Sequence, residues 1–307
     1  MKKIKLFKTL LIPSLGVLTL KTITIVSTSC SCAIVRVTAV VTANADSTLE
    51  LTNRNNNSNL QYSVDGKFWI DYSALIDIHQ GQTLYLKGNN PNGWSTGANT
   101  YSSFKITGNV SLSGNIMALI DNGKGTATAA IPNEYCFYSL FRNSTGITSV
   151  SKDFLPATSL AEGCYDSMFY GCTNLRNAPE LPATELANYC YWSMFNGCTS
   201  LAQAPELPAT SLVESCYESM FDNCSSLTTA PELPATTLVE HCYFEMFHGC
   251  SSLNSIRIGY TGTVAEAPSG AFFSWVEGVA NAGTFYYKGN DTLANFGFPE
   301  GWTVNPN

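Results

Sequence analysis

The sequence predicts an α/β repeat solenoid of short parallel strands and helices, preceded by a small all-β domain. One long motif starts at Cys164, Cys190, Cys216 and Cys242, so it recurs every 26 residues. A fixed period of this size is typical of solenoids, in which each unit buries its apolar face against its neighbours. Residues 33–125 have a different composition, rich in Val, Thr, Ser, Asn and Gly. The repeats indicate the solenoid, and the change of composition indicates the β domain.

The chain begins with a segment that we interpret as a signal peptide of the lipoprotein type, covering residues 1–29. Four lysines among residues 2–8 precede an apolar run at residues 10–20, which is too short to span a bilayer. Small residues then precede Cys30 in the manner of a bacterial lipobox. We therefore expect Cys30 to carry a lipid that anchors the protein in the membrane at the cell surface. Ordinary secretion after cleavage at Ala45 and an uncleaved anchor are the alternatives.

Residues 33–125 are expected to form antiparallel strands. Leucines alternate with other residues at 49–51 and at 84–86, as in strands with one buried face. Turn signals such as Asp65-Gly66 separate these runs. We expect a small β domain that forms a sandwich and caps the first repeat.

Each repeat is expected to contain a helix. Leu160, Cys164, Tyr165, Met168 and Phe169 share one face at helical spacing. A glycine at the far end of this segment suits the left-handed residue that often follows a helix. Three copies also start with the pattern of a capping box, namely Ser159 with Glu162, Ser211 with Glu214 and Thr237 with Glu240.

The rest of each repeat is expected to form a short strand and a return. Pro179 and Pro182 leave room for only a short extended piece between turns. Strands of successive units should stack as a narrow parallel sheet, with the helices on the other face. This places the solenoid at residues 126–258 and a C-terminal cap at residues 259–307, in which residues 272–279 are expected to form a last helix.

The repeat resembles that of a known bacterial family. The motif Cys-Tyr-x-x-Met-Phe-x-x-Cys-x-x-Leu, followed by Ala-Pro-Glu-Leu-Pro-Ala-Thr, is similar to the repeat of BspA-like surface proteins over residues 136–258. The resemblance implies a leucine-rich-repeat horseshoe on the cell surface that binds host or matrix components. It implies no catalytic residues.

The charge balance argues against nucleic acid as a partner. The formal net charge of the chain is −7, and five of its 16 basic residues lie before Cys30. Binding to nucleic acid, or electrostatic docking on anionic lipid, needs a basic surface. Only 13% of the residues are charged, so the surface is expected to be mostly neutral and polar.

The chain contains eleven cysteines, and those of the repeats are expected to be buried free thiols. Cys164 and Cys172 would lie about 12 Å apart along a helix, whereas a disulfide needs Cα atoms within about 7 Å. A buried cysteine of this kind acts as a small apolar residue between turns.

One group of residues has the composition of a zinc site, which usually combines histidine and cysteine ligands. Its members are His241, Cys242, His248 and Cys250. Both cysteines recur in copies that have no histidine, so we interpret the histidines as surface residues. We expect no metal and no cofactor.

The variable positions of the repeat are candidate ligand contacts, because packing fixes most of the others. Beside the predicted strand these are Arg176, Asn177, Gln203 and Thr229. Horseshoe proteins usually bind on the strand face, so this face is the first candidate for a ligand site.

Two further sets of candidates lie elsewhere on the repeat. Trp192 and Phe244 are variable positions of the predicted helix, where they either anchor a partner or pack on the next repeat. Glu180, Glu206 and Glu232 form a ladder of carboxylates. This ladder is either a solvated rim or a stripe for a cation or a cationic ligand.

Together these features predict an exported, surface-anchored protein that binds host or matrix protein or glycan without catalysis, as an adhesin does. A rigid repeat surface loses little entropy on binding. A structural or antigenic surface array with no specific ligand is the first alternative. The second is a carbohydrate-active enzyme or sugar-binding module in the β domain, where Trp69, Asp71, Tyr72 and Trp94 suggest a sugar-stacking cleft.

Overall fold

The computed structural model describes residues 38–52, 59–97, 99–124 and 130–306. The predicted signal peptide and Cys30 lie outside these residues, so cleavage and lipidation stay predictions. The predicted domain boundary at residue 125 also falls outside them. Within the described residues, no helix is long and apolar enough to cross a membrane.

The first part of the chain, residues 38–124, is built from antiparallel strands. Leu49 and Leu51 are buried while the residues between and beside them are half-exposed, which is the period-two pattern of a strand with one buried face. A four-residue helix, α1 (Ala118–Asp121), follows the last of these strands. The strands are β1 (Ala39–Ala43), β2 (Ser47–Thr52), β3 (Gln61–Ser63), β4 (Ile70–Asp71), β5 (Ile76–Ile78), β6 (Thr83–Lys87), β7 (Ser103–Thr107) and β8 (Val110–Gly114).

These strands form two sheets, and one of them continues into the repeats. The smaller sheet has the order β5-β2-β7, and the six-stranded sheet has the order β4-β3-β6-β1-β8-β9. A degenerate copy of the repeat starts at Cys136, and its strand β9 (Ile147–Val150) pairs with β8 in parallel. The first part of the chain therefore joins the repeats through a continuous line of strand pairing.

The predicted α/β solenoid with one helix per repeat is wrong, and so is the leucine-rich-repeat horseshoe that the resemblance implied. The fold is mostly β, and α1 is the only α-helix among the described residues. The segment predicted as a helix is a run of turns. Its backbone φ is positive at every fourth residue, with 55° at Gly163, 55° at Ser167 and 68° at Gly171. An α-helix contains no left-handed residues, so this backbone excludes it.

Hydrogen bonds between neighbouring repeats hold these turns. The Tyr165 N–H donates to the Cys190 carbonyl over 3.1 Å, and the Ser167 N–H donates to the Trp192 carbonyl over 2.8 Å. The amides in between bond within the turn, as when the Asp166 N–H donates to the Gly163 carbonyl over 3.1 Å. Every second amide therefore points along the stack to the next coil rather than along the chain.

The same geometry recurs in six coils, which we call the repeat stack. The predicted last helix at residues 272–279 is part of the sixth coil, and the predicted capping boxes have no helix to cap. Glu162 and Glu214 accept hydrogen bonds from Tyr135 and Tyr189 instead, each over 3.3 Å. The residues with positive φ in the other five coils are Tyr135, Ser139 and Asn143; Tyr189, Ser193 and Gly197; Ser215, Ser219 and Asn223; His241, Glu245 and Gly249; and Gly270, Ser274 and Gly278.

The opposite side of the repeat stack consists of short parallel strands. Isolated parallel bridges join Ser149 to Asn177 and Gln203 to Thr229. Further along, a four-stranded sheet in the order β10-β11-β12-β13 continues the pairing, and all its neighbours are parallel. Its strands are β10 (Thr229–Leu233), β11 (Ser255–Ile258), β12 (Ala282–Tyr286) and β13 (Gly301–Asn305).

The core of the repeat stack is filled by two rows of aromatic rings. Phe169 and Phe195 stack with their centroids 5.7 Å apart and an interplanar angle of 2°. Tyr191 and Tyr217 belong to the second row and stack at 5.9 Å. Trp275 of the sixth coil closes the first row, 6.3 Å from Phe247. The first row comprises Phe104, Phe141, Phe169, Phe195, Phe221 and Phe247, and the second comprises Phe137, Tyr165, Tyr191, Tyr217 and Tyr243.

The nine described cysteines are free and buried, as the sequence led us to expect. The Cys198 thiol donates to the Phe169 carbonyl of the preceding coil over 3.2 Å, and Cys172 and Cys250 make the equivalent bond. Burial raises the pKa of Cys172 and of Cys250 to about 12. These thiols are therefore protonated packing residues at neutral pH.

Candidate binding groove beside the first coils

A polar groove of about 490 Å³ lies where the first part of the chain meets the repeat stack. Two sequence-predicted candidates, Arg176 and Asn177, contribute to it. The rest comes from the loops after β1 and β7, from the neighbouring strands β8 and β9, and from the first full copy of the repeat. We call it the junction groove, and its lining residues are Asn44, Gly108, Asn109, Ser111, Thr148, Ser149, Asn174, Arg176 and Asn177.

Strand pairing brings these residues together. Ser111 lies opposite Ser149 in the β8–β9 pair, and Ser149 forms a parallel bridge with Asn177. The Arg176 N–H donates to the Thr148 carbonyl over 2.9 Å. Strand pairing therefore places Ser111, Ser149 and Asn177 side by side on three neighbouring strands.

A glycine fixes the turn between β7 and β8. Gly108 has φ of +87°, and a Cβ atom there would lie 2.5 Å from the Asp46 carbonyl oxygen. A larger residue would therefore have to push the β1–β2 turn away. The close approach holds Asn109 next to Asn44 in the floor of the groove.

Side-chain hydrogen bonds order the floor of the junction groove. The Asn44 amide donates to Asn109 Oδ1 and to Ser111 Oγ, each over 3.0 Å. Thr148 Oγ1 donates to the same Asn109 oxygen over 3.0 Å, and Ser149 Oγ donates to Ser111 Oγ over 3.0 Å. These contacts fix the rotamers before any ligand arrives, which lowers the entropy cost of binding.

Arg176 is the only charged residue of the lining and is exposed. Among the described residues, no carboxylate lies within ion-pair distance of its guanidinium. The other lining side chains are amides and hydroxyls, which both donate and accept hydrogen bonds. The groove thus offers one unpaired cation within a neutral, polar surface. None of its side chains is a histidine, cysteine or carboxylate that would serve as a general base near neutral pH.

The other predicted strand-side residues continue away from the junction groove. Gln203 bridges to Thr229, and Thr229 lies opposite Ser255, so a row of neutral polar residues extends along the repeat stack. The three glutamates form a neighbouring exposed row. Glu180 pairs with Lys152 over 3.2 Å, and Glu232 lies opposite Arg257 in the β10–β11 register.

The two predicted aromatic candidates lie on the turn segments and do not line the groove. Trp192 is 38% exposed, with its ring 5.7 Å from that of Tyr189. Phe244 is half-buried and stacks on Phe273 at 4.8 Å, so it packs on the next coil. Phe273 is 57% exposed and was missed by the sequence analysis, because its segment was interpreted as part of a terminal cap.

No zinc site forms at the histidines of the last full copy. His248 Nδ1 lies 2.8 Å from Asp222 Oδ1, while the His241 ring packs edge-on against Phe244. Cys242 and Cys250 are buried. Within the described residues, no group of three His, Cys, Asp or Glu side chains is placed to hold a metal ion.

The suggested sugar-stacking cleft in the first part of the chain is not formed. Trp94 is buried in the core, where its ring stacks on Phe104 at 5.3 Å and its Nε1–H donates to the Ser102 carbonyl. The Tyr72 hydroxyl accepts a hydrogen bond from the Leu51 N–H over 2.8 Å. The Lys87 ammonium covers the Trp69 ring at 4.3 Å.

Seven lining residues were missed by the sequence analysis, namely Asn44, Gly108, Asn109, Ser111, Thr148, Ser149 and Asn174. The Gly108-Asn109 dipeptide carries the signal of a turn, and nothing in its local pattern indicates which coil that turn will face. Comparison with known proteins adds no further site residues, because no family model, no curated protein and no solved structure matches the chain.

Proposed function

We propose that this is an exported, surface-anchored protein that binds host or matrix protein or glycan through the junction groove, without catalysis. The observation that carries the proposal is the unpaired guanidinium of Arg176 beside a hydrogen-bonded floor of Asn, Ser and Thr side chains. Polar groups whose positions are already fixed by hydrogen bonds lose little entropy when they bind a ligand.

The surface location is proposed on the sequence. The leader has a basic part and an apolar part, and small residues precede Cys30. These features favour an exported protein with a lipid on Cys30 that anchors it at the cell surface. The likeness of the 26-residue motif to that of BspA-like surface proteins supports the same location. This support rests on the motif alone, because the helical horseshoe that the resemblance implied is not formed.

A binding screen with a matched pair of variants tests the ligand-binding role. The full chain, kept in detergent, is passed over immobilised matrix proteins and glycans, together with Arg176→Ala and Lys288→Ala. Lys288 is an exposed cation outside the groove, so it controls for loss of charge. We expect a ligand that wild type and Lys288→Ala retain and Arg176→Ala loses. A wild type that binds nothing on the screen, or an Arg176→Ala variant that binds equally well, would contradict the proposal.

Intact mass tests the anchor. The protein extracted from its native membrane is expected to start at Cys30 and to carry the added mass of a diacylglyceryl group. A chain that starts at Asp46 with no lipid would show a secreted protein.

A further inference from the structure

We infer that the junction groove recognises a glycan that carries an isolated carboxylate, such as a uronic acid residue, with Arg176 on the carboxylate and the amides and hydroxyls on the sugar hydroxyls. This inference rests on the proposed function and specifies the ligand class of the same site. It follows from the charge of the lining, from the absence of apolar side chains among the lining residues, and from the charge of the surrounding surface.

The lining favours a small anion that also bears hydroxyl groups. A guanidinium binds a carboxylate with two parallel N–H···O bonds, and this pairing is stronger than a neutral hydrogen bond. Asn177 is exposed next to Arg176, and Asn174 keeps its Oδ1 available because its amide N–H donates to the Thr145 carbonyl over 2.9 Å. Sugar hydroxyls both donate and accept, so they match this mixture of amides and hydroxyls.

The same lining disfavours a protein ligand. Protein interfaces draw most of their energy from a few anchors, chiefly Trp, Tyr and Arg, in desolvated pockets. The lining contains no aromatic residue and no Leu, Ile, Val or Met side chain. Its volume of about 490 Å³ lies within the range of about 300–1,000 Å³ that small-molecule sites occupy.

The surrounding charge disfavours a densely charged polyanion. The chain carries a net charge of −7, and beyond Glu180, which is paired with Lys152, the neighbouring row continues with the exposed Glu206 and Glu232. A heavily sulfated chain would meet repulsion from this row, since like charges in the same region repel. A single carboxylate is attracted by Arg176 alone, and the rest of the sugar stays neutral.

Glucuronate and glucose provide a matched pair of probes, because they differ only by a carboxylate in place of a hydroxymethyl group. The full chain in detergent is titrated with each sugar, and with acetate, while the NMR signals of the arginine and asparagine side chains are followed. We expect glucuronate to bind at least about tenfold more tightly than glucose, since a charged hydrogen bond contributes about 1.5–3 kcal/mol. We also expect it to bind more tightly than acetate, which has the carboxylate but lacks the hydroxyls that the amides and hydroxyls of the groove would bind.

Variants locate the interaction. Arg176→Gln is expected to lose the preference for glucuronate, and Arg176→Lys to keep only part of it, because an ammonium cannot form the two-bond pairing. Arg257→Gln removes the same side-chain type from β11, outside the groove, and is expected to bind like wild type.

The possible outcomes separate this inference from the proposed function. Equal binding of glucose and glucuronate would overturn the role of the carboxylate and leave a sugar-binding groove. Equal binding of acetate and glucuronate would overturn the role of the sugar. If neither sugar binds while an immobilised matrix protein binds in an Arg176-dependent manner, the glycan class is wrong and the proposed binding function stands.

Discussion

The first part of the chain and the repeat stack are both β structures, but they pair their backbones in different ways. In residues 38–124, antiparallel neighbours such as β1 and β6 have unrelated sequences, and strands such as β2 and β6 alternate buried and half-exposed residues. In the repeat stack, each coil pairs with a copy of itself in parallel. The same residue type therefore meets itself in the next coil, as Phe169 meets Phe195.

This difference explains why the repeat is so uniform. A side chain in the stack must fit the coil before it and the coil after it, and both offer the same shape. The cysteine, tyrosine, methionine and phenylalanine positions are buried in every full copy. Positions with no such neighbour constraint, among them Arg176 and Gln203, are exposed and differ between copies.

The largest expected effect comes from breaking the aromatic row at its centre. Phe195 is fully buried between Phe169 and Phe221, with ring centroids 5.7 Å away on each side. Phe195→Ala should lower the free energy of unfolding by about 3–5 kcal/mol, because flanking coils tied by hydrogen bonds cannot collapse into the cavity. Chemical denaturation measures this.

Trp192→Ala on the same coil is the control. Its side chain is 38% exposed whereas Phe195 is fully buried, so removal of the Trp192 side chain should leave no enclosed cavity and should cost clearly less. Equal losses for the two variants would show that the rings do not form the core of the repeat stack.

A smaller effect is expected at Asp166, a carboxylate that occupies a position held by Tyr138, Trp192, Glu218 and Phe244 in other coils. Burial raises the pKa of Asp166 from its ordinary value of 3.8 to about 7, although the Ser167 hydroxyl donates to it over 2.7 Å. Between these two pH values the folded state holds a proton that the unfolded state has released. Stability should therefore fall as pH rises through this window, by at most about 4 kcal/mol.

Asp166→Asn should remove this part of the pH dependence and raise the unfolding midpoint at pH above about 7. Asn keeps the oxygen that accepts the Ser167 hydrogen bond. Thermal unfolding from pH 4 to pH 8 is the measurement, and Asp153→Asn, at an exposed position, is the control. An Asp166→Asn variant with the pH profile of wild type would contradict a buried, protonated carboxyl.

Two tyrosines of the second aromatic row have hydroxyl groups that make no hydrogen bond within the repeat stack. Among the described residues, Tyr165 Oη and Tyr217 Oη are buried with no hydrogen-bond partner. Removing an unsatisfied buried polar atom should raise stability, so Tyr217→Phe should gain about 1–2 kcal/mol in the free energy of unfolding. Phe137 and Phe272 already occupy the equivalent position at the two ends of the repeat stack.

Tyr189→Phe is the control, because its hydroxyl is on the surface and donates to Glu214 over 3.3 Å. It should change stability by less than about 0.5 kcal/mol. A loss of stability in Tyr217→Phe would mean that the hydroxyl has a partner in solution.

The sequence was sufficient to predict the copies, their stacking partners and the alternating strands of the first part, but not the backbone of the turns. Cys164, Met168 and Cys172 recur every fourth residue. In an α-helix, side chains eight residues apart point only about 80° apart around the axis. An α-helix and the observed run of turns therefore both place these residues on one face. The apolar pattern therefore cannot separate the two. Gly163 and Gly171, eight residues apart, carried the better signal.

The candidate site was predictable only in part, for a related reason. Arg176 and Asn177 vary within a uniform repeat, which marks them as exposed. Asn44 and Asn109 come from turns far earlier in the chain. They reach the groove only because β8 pairs with β9, and no local pattern in the sequence specifies that long-range pairing.

The most direct test of the account is the substitution Ser193→Gly, because a helix predicts a loss of stability and the turns predict none. Ser193 has φ of 50°, a conformation that costs a residue with a Cβ about 1–2 kcal/mol. We expect Ser193→Gly to leave the free energy of unfolding unchanged or to raise it by up to about 1 kcal/mol. In a helix interior the same change would lower it by about 0.5–1 kcal/mol. Such a loss would contradict the repeat stack described here.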